Sequence, residues 1–148
     1  MYGILVVSHG KLSEEFINSA KMIVGDISGK IKAVSLVEGL SPEDFIDNVI
    51  SAIMEAMDKD GVLILTDLFG GSTTNFIASK IFEKLNKDLM KKIVIISGIN
   101  LAMLLSAITN NEDDIDIQTI ADRIIDDAIN NIVNVSKILN KDKYIYNI

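Results

Sequence analysis

Four short apolar runs rich in β-branched residues recur along the chain, at residues 3–7, 31–37, 62–66 and 93–97. Each is continuous rather than alternating, the pattern of a strand buried on both faces of a parallel sheet. Between them the apolar positions switch to helical spacing: Leu12, Phe16, Ala20, Ile23 and Val24 up to Gly25, then Phe45, Val49, Ile53 and Met57, then Ile77, Ile81 and Leu85. Residues 101–108 predict a short helix behind the fourth run. A long final helix is predicted from Ile117, with Ile120, Ile124, Ala128, Ile132 and Val135 on one stripe. The tail Tyr144-Ile145-Tyr146 has the residue types of a strand.

Boundary chemistry agrees with this alternation. Ser41-Pro42-Glu43-Asp44 places a capping hydroxyl before a proline at the first helical position, with acids at the positive end of the helix. Gly61 and Gly98 punctuate two further joins, and residues 110–116 form a polar, acidic loop. No linker, internal repeat or low-complexity segment interrupts the pattern, so residues 1–148 read as a single domain with a strand-forming tail at 140–148. Alternating βα units with right-handed crossovers predict an α/β fold, a doubly wound, mainly parallel sheet in the flavodoxin-like order 2-1-3-4. In such a sheet the ligand crevice lies at the carboxyl ends of strands 1 and 3.

Composition narrows the function classes. A chain of 148 residues without cysteine has no disulfide framework and no thiolate metal site, and must rely on its core. That usage points to a cytoplasmic location. With a formal net charge of −7 and Arg123 as its only arginine, it is a poor partner for nucleic acid. The opening apolar stretch has no basic flank and stops at Ser8 and His9, so neither a signal peptide nor a membrane-inserted span is expected. Glu112, Asp113, Asp114 and Asp116 lack the glycine and terminal glutamate of a calcium loop and read as a solvated face. No metal and no cofactor is expected.

The crevice, by contrast, receives specific chemistry. The only histidine, His9, follows the first strand in Val6-Val7-Ser8-His9-Gly10, and Asp67 follows the third in Asp67-Leu68-Phe69-Gly70-Gly71-Ser72. Neighbouring strand ends lie roughly 5 Å apart, within reach of both side chains. A carboxylate bonded to one imidazole nitrogen fixes the tautomer and leaves the other free to attack a phosphoryl group. Gly10 leaves room for an incoming partner, and backbone N–H groups around Gly70, Gly71 and Ser72 are candidates to hold phosphoryl oxygens at a helix start. Other phosphate chemistries fit less well. Neither GxxxxGK[ST] nor GxGxxG is present, a receiver domain would need an acidic pair where Ser8-His9 stands, and a histidine phosphatase would need an arginine in place of Ser8.

Together with Ser97-Gly98-Ile99-Asn100-Leu101-Ala102-Met103-Leu104, these two motifs make the chain resemble the mannose-type enzyme IIA proteins of the bacterial phosphoenolpyruvate-dependent sugar phosphotransferase system. The likeness runs over roughly residues 1–135, with the three motifs in the family's order. It implies a phosphotransferase component: HPr donates a phosphoryl group to His9 Nε2, Asp67 orients the ring, and the group passes to a histidine of the matching enzyme IIB, through which the protein meets a membrane permease. It also implies a homodimer exchanging a C-terminal antiparallel strand, which residues 144–148 would supply. Thr73 and Leu101 stand where many relatives carry proline, and Leu68 where relatives can carry a hydroxyl. Hydroxyl contacts to the phosphoryl group would then come from Ser72, Thr73 or the backbone. The phosphotransfer subunit of dihydroxyacetone kinase resembles the chain less, because its motif after strand 3 is similar to Asp-Leu-Gly-Ser-Ala. A regulatory module that receives phosphate and binds another protein is the remaining alternative.

Overall fold

The computed structural model describes residues 1–27, 31–111 and 115–139. Its element order is β1 (Gly3–His9), α1 (Leu12–Val24), β2 (Ile31–Leu36), α2 (Pro42–Ala56), β3 (Val62–Thr66), α3 (Ser72–Lys84), α4 (Lys87–Met90), β4 (Ile93–Ser97), α5 (Leu101–Thr109) and α6 (Ile117–Asn130). The four strands form one parallel sheet in the order β2-β1-β3-β4. This is the predicted doubly wound order.

Strand period and helix stripe divide the core in two. Ile4, Val6, Leu63, Leu65 and Ile96 point to one face, where Ala20 of α1, Met103 and Leu104 of α5, and Ile120 and Ile124 of α6 cover them. Leu5, Val7, Val62 and Ile64 point to the other and meet Phe45, Val49 and Ile53 of α2 with Ile77 and Ile81 of α3. The central strands β1 and β3 are therefore buried on both faces, whereas β2 is only partly buried along its whole length. A fully buried leucine or isoleucine here contributes about 1.5–3 kcal/mol by leaving water.

Capping follows the sequence. The Ser41 hydroxyl accepts from Asp44 N–H at 3.1 Å and donates to the Asp44 carboxylate at 2.8 Å, with Pro42 in the first turn. Asp116, expected as part of a solvated face, is exposed and also caps α6 by accepting from Gln118 and Thr119 N–H. Glu112, Asp113, Asp114 and the tail at 140–148 lie outside the described residues.

The final helix departs from expectation. It stops at Asn130, because Asn131 turns its side-chain amide back onto the Asp127 carbonyl at 2.9 Å, an alternative that asparagine offers to continued helix. Residues 135–139 form a separate helical turn after Asn134. Ile132 and Val135 are consequently exposed rather than on the buried stripe. Leu12, Ile23 and Val24 are likewise exposed, and α1 turns Phe16, Ile17 and Ala20 inward. Among the described residues no helix is long and apolar enough to cross a membrane.

Candidate phosphoryl site at the strand ends

Parallel register brings the two motifs together. Val7 lies opposite Thr66, so His9 at the end of β1 and Asp67 just beyond β3 emerge side by side at the carboxyl edge of the sheet. Asp67 Oδ2 accepts the His9 backbone N–H at 2.9 Å and lies 2.8 Å from His9 Nδ1. An ionised carboxylate only accepts, so Nδ1 carries a proton, and in the neutral ring Nε2 is then the nitrogen with the lone pair. The His9 side chain is 45% exposed and that of Asp67 13%, an accessible ring standing on a sheltered support.

The second carboxylate oxygen is also occupied. Oδ1 accepts Leu68 N–H at 2.9 Å and the Thr73 hydroxyl at 3.0 Å. Burial alone would raise the Asp67 pKa, but hydrogen bonds from the His9 backbone, the His9 ring and Thr73 outweigh it and hold the group below the ordinary carboxylate value.

The turn between Asp67 and α3 is built for close approach. Gly70 has φ +74°, the left-handed region that glycine enters without steric cost. A Cβ on Gly71 would sit 3.1 Å from the Leu68 carbonyl oxygen and 3.2 Å from His9 Cε1. The start of α3 thus lies against Cε1, the ring carbon between the two nitrogens. The Leu68 carbonyl accepts both Gly71 N–H and the Thr74 hydroxyl, and Thr74 pairs in turn with Thr66 at 2.8 Å.

Gly71 N–H is therefore engaged within the turn. The first intrahelical bond of α3 runs from Asn75 N–H to the Gly71 carbonyl, so the amides of Ser72 and Thr73 precede the ladder, and no side chain caps this end. Of the two, only that of Ser72 belongs to an exposed residue and can meet an anion. Ser72 is exposed, whereas Thr73 is fully buried and bonded to Asp67 rather than turned to the ring's open side. Gly10 donates its N–H to the Leu36 carbonyl and has open space beside its α-carbon. Leu68 and Phe69, which follow Asp67 in the turn, are exposed at 59% and 85%.

Sequence reading passed over the hydroxyl partners beneath the site. Ser8 Oγ accepts from Ser13 N–H at 2.6 Å and thereby caps α1, and Ser13 Oγ pairs with Ser35 Oγ at 2.9 Å. The only hint was a serine in the first turn of α1. Among the described residues no group of three or more histidine, cysteine, aspartate or glutamate side chains is placed to hold a metal ion.

Sheet order and strand-end crevice define the class, a doubly wound α/β protein carrying its polar site at the switch point. A sequence model described as PTS system fructose IIA component (EIIA-man) matches residues 3–125, so the chain belongs to this mannose/fructose type of phosphotransferase-system IIA component. It is 28% identical over 112 residues to the "PTS system fructose-specific EIIA component" of Bacillus subtilis, covering 76% of this chain and 72% of that protein. It is 25% identical over 111 residues to the "PTS system mannose-specific EIIAB component" of Escherichia coli, covering 75% of this chain and 32% of that one. The chain thus spans about a third of that relative's length. The crystal structure of phosphotransferase system component EIIA from Streptococcus agalactiae superposes with a TM-score of 0.79 at 26% identity, covering 93% of this chain and 99% of that one.

Proposed function

We propose that the protein is a phosphocarrier of sugar uptake, accepting a phosphoryl group from phospho-HPr on His9 and passing it to a histidine of its enzyme IIB. The observation that carries this reading is the half-exposed imidazole whose Nδ1 is held 2.8 Å from Asp67, which leaves Nε2 as the ring nitrogen for transfer. The Nε2 lone pair attacks phosphorus, the P–N bond to the donor histidine breaks, and the donor ring regains its electron pair. The second transfer repeats this with His9 as leaving group. Asp67 stabilises the ring's positive character while it is phosphorylated, and the amide of the exposed Ser72 opposes the charge on the phosphoryl oxygens, a task of positioning and electrostatics. Gly10, Gly70 and Gly71 keep the approach clear. The sugar-system names of the family and its relatives support this reading over a dihydroxyacetone kinase subunit. We place the relay in the cytoplasm, with the membrane permease reached through enzyme IIB.

Mixing the radiolabelled, phosphorylated protein with enzyme IIB from the same sugar system tests this directly. Label is expected to move to IIB within seconds. Label that stays put while the protein binds another macromolecule would favour the regulatory reading instead.

Gly71→Ala isolates the geometry. Gly71 has φ −72°, ψ 166°, which alanine adopts freely, so the fold is expected to survive, with a loss of about 1–3 kcal/mol because the methyl also lies 3.1 Å from the Leu68 carbonyl oxygen. The added methyl presses on His9 Cε1 and moves a ring that must be held to fractions of an ångström, and transfer is expected to slow roughly tenfold. Single-turnover rates equal to wild type would show that the ring has slack.

The assembly we propose is a homodimer in which residues 143–148 add a strand to the partner's sheet. Supporting it, among the described residues β4 pairs only with β3, and the exposed Ile129, Ile132 and Phe69 line one groove with Ile95 and Ile96 of β4. A chain truncated after Asn140 is expected to sediment as a monomer or aggregate. An equally tight truncated dimer would rule out strand exchange.

A further inference from the structure

Thr73 is the one side chain of α3 bonded to the carboxylate that orients His9, and it is fully buried. The other three donors to Asp67 come from its own neighbour Leu68 and from β1, through the backbone and ring of His9. Leu68 N–H is tied to the Asp67 backbone and cannot fix the side chain against the helix. Only the Thr73 hydroxyl joins the carboxylate to α3, the element whose first residues lie against the imidazole. The Thr66–Thr74 pair and the Leu68 carbonyl clamp the intervening turn, so the hydroxyl is delivered from a fixed place. Thr73 has no access to a phosphoryl group on the exposed side of His9, which leaves its effect to pass through Asp67.

We propose that Thr73 is a positioning residue of the phosphoryl site: its hydroxyl holds the Asp67 carboxylate so that Oδ2 keeps His9 in the Nδ1–H tautomer with Nε2 unprotonated. This rests on His9 being the phosphoryl acceptor. A carboxylate whose two oxygens each accept two hydrogen bonds is held in one rotamer, and without Thr73 its Oδ1 keeps only Leu68 N–H. The carboxylate can then rotate, and the ring can swing away or present Nε2–H. The hydroxyl also contributes to the lowered Asp67 pKa, so its removal carries a titration signature.

The test compares wild type with Thr73→Val, which keeps the branched shape, and Thr73→Ser, which keeps the hydroxyl. Nuclear magnetic resonance of the neutral His9 imidazole nitrogens reports the tautomer, and carboxyl carbon titration reports Asp67, both without any phosphoryl donor. In Thr73→Val the Nε2–H tautomer is expected to become populated, the Asp67 midpoint to rise, and phosphoryl uptake from phospho-HPr to slow roughly tenfold. Thr73→Ser is expected to match wild type in all three. Thr73→Ala reads the same quantities should the valine variant fail to fold. A folded hydroxyl-free variant with wild-type tautomer and Asp67 titration overturns the proposal, as does a serine variant as impaired as valine. Absence of phosphate uptake by wild type would instead count against His9 as acceptor, and is seen separately from the two spectroscopic results.

Discussion

His9→Ala is expected to abolish phosphoryl uptake, a loss of at least roughly 10³-fold, while leaving the fold intact. The chain has no second histidine to take over. The substitution removes a half-exposed ring from the end of β1, and the core positions before it, Ile4 to Val7, are untouched. Alanine also keeps the backbone N–H that donates to Asp67 Oδ2 at 2.9 Å, so the carboxylate retains three of its four donors. The stability cost should therefore be about 1–2 kcal/mol, the worth of one bond to a charged group. Thermal unfolding and a phosphorylation assay on the same sample check both halves. Phosphorylation near the normal level in this variant would remove His9 from the relay.

Asp67→Asn is expected to slow transfer by roughly 10²- to 10⁴-fold without preventing carrier binding. The reason lies in donor arithmetic. The carboxylate accepts four hydrogens, two of them from the backbone amides of His9 and Leu68, on opposite oxygens. An amide has one accepting oxygen and an NH₂ group, so whichever way it turns, one backbone N–H faces another donor. If NH₂ faces His9, Nδ1 becomes the acceptor and the proton moves to Nε2, which then cannot attack. If NH₂ faces Leu68 and Thr73, the ring keeps its tautomer but loses the charge that stabilises its phosphorylated state. Either way about 1–3 kcal/mol of stability is lost at neutral pH. Because the folded Asp67 pKa is depressed, its contribution is fully present above the ordinary value of 3.8 and is lost as pH falls through the lowered value. The stability gap between wild type and Asp67→Asn should accordingly close in strong acid. A gap that stays constant would mean that the charge contributes nothing, and unchanged single-turnover transfer would release Asp67 from the mechanism.

The strands and the His9–Asp67 pairing were legible because parallel sheets impose continuous apolar runs and bring strand ends to one edge. Ser41-Pro42 was legible because capping is local chemistry. The limits have equally physical causes. α4, from Lys87 to Met90, is one turn and too short to show a helical period. The end of α6 is decided by asparagine side chains competing with the helix ladder, while Ile132 and Val135 continued the apolar period past it. The role of Thr73 depends on the path of the turn from Asp67 to Ser72, which brings residues six apart into contact. Periodicity carries no record of that path. Engagement of Gly71 N–H by the Leu68 carbonyl has the same origin.

Incubation of the intact protein with phosphoenolpyruvate, enzyme I and HPr, followed by site mapping and phosphorus magnetic resonance under alkaline conditions, addresses the relay most directly. One acid-labile phosphoryl group on His9, bonded at Nε2, is the expected product. Label at Nδ1, label on a serine or threonine, or no label with an active HPr control would contradict a relay built on an Asp67-held imidazole.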